Sequence, residues 1–188
     1  MADPSPPYIY RGLNSEGETR LVQLLPGLLW TDIHVRIEHC ILKDQDVLDS
    51  YEALSYVCGT PKQTQPIWID GKQLQVTVNL WYALQRLRHE DESQLLWIDQ
   101  ISINQEDAKE RTQQVSLMGS IFASASVVVA WLGEDATHDG GTALEFLRLL
   151  FKTYYEFPSK KIFLKHKYGS SCGDELENIH YTKTEGLL

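Results

Sequence analysis

The sequence predicts an α/β fold: a mostly parallel β-sheet with helices on both faces, plus an added β-hairpin and N-terminal antiparallel strands. Three observations carry this reading. Short continuous apolar runs, ALSYV from Ala53, LLWI from Leu95 and SVVVAWL from Ser126, read as strands buried on both faces. Segments with helical spacing alternate with them. Asp70-Gly71 sits between two strand-like runs, and Asp-Gly accepts the positive φ of a type I′ hairpin turn.

Taken in order, Ala2 to Pro7 is a Pro-rich stretch, read with its neighbours 1–9 as a flexible arm. Thr19 to Leu25 is extended and is stopped by Pro26-Gly27. Ile33 to Leu42 alternates, with Ile33, Val35 and Ile37 on one side and His34, Arg36 and Glu38 on the other, as a half-buried strand requires. The first core strand ends at Cys58-Gly59-Thr60-Pro61, a sharp loop. Asn79 to Arg88 places Leu80, Leu84 and Leu87 on one helical face, with Asn79 or Thr77 as cap. A long helix is expected from Glu106 to Phe122 with Asn104 as cap, and a further one from Thr142 to Phe151. Residues 151–188 read as a helix-and-loop extension, or as the first part of a region that continues in a longer protein. Lys160, Lys161, Lys165 and Lys167 within it read as a solvated face.

The chain has 188 residues, which at about 150 residues per domain favours one domain. Apolar residues make up 43% and charged residues 23%, an ordinary globular balance. The net charge of −9 argues against a nucleic-acid binder that grips phosphates through a basic surface. Cys40, Cys58 and Cys172 form no CxxC and no even set; this points to a reducing, cytoplasmic setting rather than a disulfide scaffold. The start has no signal-peptide pattern, and no apolar run is long enough for a membrane span. The six histidines show no HExxH and no Cys/His ligand spacing, so no metal site is expected. No GxGxxG or P-loop is present.

In an open parallel sheet, ligands bind beyond the carboxyl ends of the strands. That rule selects the loop at Cys58-Gly59, the polar stretch Asp99 to Asp107 and Gly133-Glu134-Asp135. The helix after the second loop is apolar on its inward lines only in its later half. Its first turns carry Glu110, Arg111 and Gln114 inward, where a pocket is expected. Burying such groups is costly unless they are paired or wet. The expected site is therefore lined by Asp99, Asn104, Gln105, Glu110, Arg111 and Gln114, with Gly59 nearby. A structural reading fits the same residues: Asn104 as an ordinary N-cap, Glu110 and Gln114 as a solvated pair, and Arg111 paired with Asp99. Cys58 could serve as a nucleophile, but no histidine is placed beside it.

YEALSYVCG at Tyr51–Gly59, VTVNLWYALQRLR at Val76–Arg88, LLWIDQISINQED at Leu95–Asp107, ER-x-x-QV-x-LM at Glu110–Met118 and VVVAWLG at Val127–Gly133 stand in one order. Together they resemble the heterokaryon incompatibility (HET) domain of filamentous fungi, placed at residues 10–150 with a motif core at 51–133. Cys58 stands where that family usually has Trp, and Ser102 where it usually has Cys. The resemblance implies a toxic effector in fungal non-self recognition and programmed cell death. It also implies a distant relation to TIR domains, and hence a flavodoxin-like sheet.

Some TIR domains cleave NAD at the nicotinamide–ribose bond with a glutamate, and others only assemble signalling complexes. The TIR glutamate lies on a later helix than Glu110, so roles do not carry over directly. By motif match the family's polar positions fall on Glu52, Asp99, Asn104, Gln105, Glu110, Arg111 and Gln114. The reading leans to a NAD glycohydrolase, with Glu110 as the first catalytic carboxylate and Asp99 as the second. Gly59, Asn104, Gln105, Arg111 and Gln114 would hold the nucleotide. NAD would be a substrate, with no tightly bound cofactor. The partners implied are a nucleotide ligand and other copies or cell-death proteins. A non-enzymatic oligomerisation module and a nucleotide sensor without turnover are the alternatives.

Overall fold

The computed structural model describes residues 6–42, 47–48, 50–134 and 161–167. The strands are β1 (Glu18–Leu24), β2 (His34–Ile41), β3 (Glu52–Tyr56), β4 (Thr64–Ile69), β5 (Lys72–Thr77), β6 (Gln94–Trp97), β7 (Val127–Glu134) and β8 (Lys161–Lys167). The helices are α1 (Val78–Leu87), the single turn α2 (Asp99–Ser102) and α3 (Ala108–Ser124). All strands join one sheet in the order β5-β4-β2-β1-β6-β3-β7-β8.

The sheet is mixed, with a parallel half and, as expected, antiparallel N-terminal strands and hairpin beside it. β6, β3, β7 and β8 run parallel. In the other half β1 pairs antiparallel with both β2 and β6, and β4 with β5, while β2 and β4 are parallel. The cause is the short connections after β1 and at Asp70-Gly71, which hold no crossover and which only antiparallel neighbours can use. At that hairpin Asp70 (φ 49°) and Gly71 (φ 78°) both take the left-handed conformation the turn requires.

The core follows from strand alternation. Val22, Leu24, Leu54, Leu96, Ile98, Val129 and Trp131 face α1, which buries Leu80, Ala83, Leu84 and Leu87 against them. Leu21, Ala53 and Trp97 face the other way and meet Ile121 of α3. Each fully buried leucine in such a layer contributes about 1.5–3 kcal/mol of transfer free energy. Helices therefore cover both faces, as the continuous apolar strands require.

Several local expectations are corrected. Pro6 to Tyr8 do not form part of a free arm: the Tyr8 N–H donates to the Gln73 carbonyl at 2.8 Å and the Gln73 N–H to the Pro6 carbonyl at 3.0 Å. Thr77 precedes α1 but makes no side-chain cap bond. Asn104 does not cap α3; Asp107 does, accepting from the N–H groups of Lys109 and Glu110. Residues 161–167, within the stretch read as helix and loop, form β8 beside β7. The Ile162-Phe163-Leu164 run inside its lysines has the side chains that favour a strand. The helix expected at 142–151 lies outside the described residues.

Candidate functional site

The predicted polar residues divide into two clusters. The first is buried. Val22 pairs with Leu96, so Arg20, two residues back, lies just beyond the carboxyl end of β6. Its side chain is fully buried, and its guanidinium forks onto the Glu110 carboxylate at 2.6 and 3.0 Å. Its remaining bonds go to the carbonyls of Ser102 (3.0 Å) and Arg11 (2.6 Å), and the Tyr10 ring lies 5.0 Å from its charge. The Asn104 N–H also donates to Glu110 at 2.6 Å. Gln114 is fully buried. It accepts from the Thr19 hydroxyl at 2.7 Å and donates to the Glu18 carbonyl at 2.8 Å, while the Trp97 indole donates to the Thr19 hydroxyl at 3.1 Å.

Glu110 and Gln114 are thus neither a solvated pair nor open to a pocket. The partner that satisfies Glu110 is Arg20, which sequence reasoning missed. The inward polar turns of α3 signalled that a buried charge needed a partner, but the partner stands 90 positions away.

The second cluster is open and sits at the carboxyl edge of β3 and β6. Asp99 begins α2, and its carboxylate accepts the Gln100 N–H at 2.6 Å. The Gln100 side-chain oxygen accepts from the Thr77 N–H (3.3 Å) and hydroxyl (3.1 Å) and from the Tyr56 hydroxyl (3.4 Å). Burial, and then the charge and hydrogen bond of Asp99, hold the Tyr56 phenol far above its ordinary value, so it stays protonated and donates. Asn79 donates to the Val57 carbonyl at 2.6 Å and accepts from the Trp131 indole at 3.0 Å, which braces the loop after β3. In that loop Gly59 takes φ 76°, a left-handed conformation that favours glycine, while a Cβ there would meet the Asn79 Cβ at an ordinary 3.5 Å, so the backbone angle and not crowding calls for glycine.

Gln105 and Arg111 trail from this cluster at the surface. Gln105 donates to the Asp99 carbonyl at 2.9 Å and Arg111 to the Gln105 carbonyl at 2.8 Å. Asn104 stands between the clusters, its side chain accepting from the Glu106 N–H at 3.2 Å. Glu52 begins β3 at the opposite edge of the sheet. Asp99, Glu110 and Arg111 therefore do not line one pocket. A cleft of ≈ 460 Å³ does lie beside α3, but it is lined by residues such as Asn14, Glu16, Lys109 and Gln113, and by none of the predicted site residues. Among the described residues no group of His, Cys, Asp and Glu could hold a metal, and no helix is long and apolar enough to cross a membrane.

Cys58 is exposed, yet partial burial of its sulfur and then the Asp99 charge push its pKa up. A raised thiol pKa means less thiolate and slower alkylation. Cys58 is expected to react with iodoacetamide more slowly than free cysteine at neutral pH, and faster in Asp99→Asn. Mass spectrometry of the Cys58 peptide checks both.

Glu18 anchors the loop at 13–17. Burial pushes its pKa up, but bonds from the N–H groups of Asn14 and Ser15 and from His39 outweigh that, and the value falls below the usual 4.5. Folding thus favours the carboxylate. Its contribution is complete above about pH 4.5 and is lost as pH falls through the lower folded value. Glu18→Gln is expected to lower stability at neutral pH and to flatten the acid side of the stability curve, as urea denaturation across pH will show.

Residues 51–179 match the family described as heterokaryon incompatibility protein (HET). Over 184 residues the chain is 36% identical to "Heterokaryon incompatibility protein 6, OR allele" of Neurospora crassa, an alignment that takes in 90% of this chain and 24% of that protein. The chain thus spans about a quarter of that relative's length. No solved structure matches.

Proposed function

This chain belongs to the heterokaryon incompatibility (HET) family, and from that premise we propose that it is an effector domain of fungal non-self recognition and programmed cell death that hydrolyses NAD at the nicotinamide–ribose bond. The observation that carries the site is the Asp99 cluster at the carboxyl edge. The parallel strands stand in the spatial order β6-β3-β7-β8, that is, second, first, third, fourth in chain order. This agrees with the first four strands of the flavodoxin-like order, whose ligands sit where the strand order reverses. That reversal falls at β3 and β7, beside the loop of Cys58 and Gly59.

In this reading Asp99 replaces Glu110 as the working carboxylate, because Glu110 is committed to Arg20. Water adds to the ribose C1′, and the C–N bond breaks with its electron pair leaving on nicotinamide. The products are ADP-ribose, nicotinamide and a proton. The Asp99 carboxylate stabilises the oxocarbenium-like transition state, and Tyr56 and Gln100 hold it in place. Gly59 lets the ligand approach the backbone. Asn104, Gln105 and Arg111 line the rim, where arginine suits the pyrophosphate. Gln114 has no part in it.

Incubation of concentrated protein with NAD, followed by chromatography, should yield nicotinamide and ADP-ribose in equal amounts. Sustained absence of both from folded wild-type protein would contradict turnover. Calorimetric binding of NAD without product would then favour the sensor, and absence of binding the assembly module.

A further inference from the structure

At the edge of the sheet opposite Asp99, the β1–β2 loop presents Leu28 (60% exposed), Leu29 (39%) and Trp30 (51%) to solvent. This loop is tightly held. Arg88 donates to the carbonyls of Leu28, Thr31 (3.2 Å) and Asp32 (2.8 Å). The fully buried Gln85 accepts the Trp30 N–H at 2.9 Å and donates to the Thr31 carbonyl at 2.8 Å. The Arg88 guanidinium passes so close to Gly27 that a Cβ there would stand 3.0 Å from it.

Trp30 itself is held at φ 66°, a conformation unfavourable for a bulky residue and kept only where the surroundings over-determine it. Its ring stacks on Trp81 at 6.0 Å. Its ring also meets the Tyr82 edge at 6.0 Å, so two polar side chains, a strained backbone and an aromatic cluster fix Trp30 while half of its surface still faces water. A rigid exposed tryptophan, ordered before contact, has the make-up of a binding hot spot, and Leu28 and Leu29 add exposed apolar surface beside it.

The rim is acidic. Asp32 is exposed, and so are Glu90, Asp91 and Glu92 in the neighbouring loop, which the Gly27 N–H joins through the His89 carbonyl at 3.0 Å. The Arg88 charge is directed at the loop carbonyls. We propose that this surface docks a cationic segment of a partner protein: large apolar side chains cover Leu28 and Trp30, and Lys or Arg side chains face Asp32 and residues 90–92. The proposal is independent of NAD turnover.

The test uses a short synthetic Leu/Lys peptide and its Leu/Glu counterpart, titrated calorimetrically against the whole chain. The Leu/Lys peptide should bind and the Leu/Glu peptide should not, and affinity should fall as salt is added. Leu28→Asp, and separately Glu90→Gln with Asp91→Asn and Glu92→Gln, should each weaken binding by about ten-fold or more. These are exposed side chains, so an unchanged melting temperature verifies the fold. No binding, equal binding of both peptides, or indifference to Leu28→Asp would overturn the proposal. A wild-type dimer in sedimentation that Leu28→Asp dissolves would also overturn it, assigning the surface to a second copy.

Discussion

Arg20→Ala is expected to destabilise the domain by about 3–5 kcal/mol, the usual cost of removing one partner from a buried ion pair. The side chain is fully buried and makes a two-pronged contact with a Glu110 carboxylate that is itself 7% exposed. Alanine would leave that carboxylate, among the described residues, with the Asn104 N–H at 2.6 Å as its remaining hydrogen bond, and would strip donors from the carbonyls of Ser102 and Arg11. Domains of this kind are stable by only about 5–15 kcal/mol in all, so the loss is a large share. Urea denaturation measures it. Arg20→Met combined with Glu110→Leu should cost much less than either Arg20→Ala or Glu110→Gln alone, because it removes both charges together. A fully stable Arg20→Ala protein would show that the pair does not hold the sheet edge to α3. Glu110→Gln is expected to lose stability as well, which the same urea denaturation measures.

The second large effect is on turnover. Asp99→Asn is expected to lower the rate of NAD hydrolysis by at least about a hundred-fold, the scale of losing one well-placed electrostatic group at a transition state. The amide is nearly the same shape, and its oxygen can still accept the Gln100 N–H that Asp99 accepts at 2.6 Å. Stability should therefore change little, in contrast to the Arg20 variant. The same substitution removes a charge that raises the pKa of both Tyr56 and Cys58, so faster alkylation of Cys58 would verify that the charge has gone. Steady-state kinetics with product analysis decide the matter: near wild-type turnover in Asp99→Asn would exclude it as the working carboxylate.

Much of the architecture was legible because the relevant signals are local. The apolar runs ending at Val57, Ile98 and Leu132 became β3, β6 and β7, and Asp70-Gly71 became the hairpin turn. The candidate site was legible only in part. Asp99 and Glu110 both follow β6, and spacing alone could not show that α2 turns a corner between them. Arg20 was illegible for a different reason. In β1 both faces are buried, so no alternation marks the arginine as internal, and its role depends on a partner on α3. Beyond the Pro26-Gly27 stop, nothing local marks the Leu28 to Trp30 loop as ordered, because side chains 55 or more positions away fix it.

Mapping the backbone amide shifts of isotopically labelled protein during titration with NAD tests the placement of the site most directly. The predicted result is a set of saturable shifts gathered at Tyr56, Gly59, Asn79, Asp99 and Gln100 and reaching Gln105 and Arg111 at the rim, with the amides of Thr19, Arg20 and Gln114 unmoved. Shifts gathered instead along Asn14, Glu16, Lys109 and Gln113, or around Thr19, Arg20 and Gln114, would contradict a ligand site at the carboxyl edge of β3 and β6.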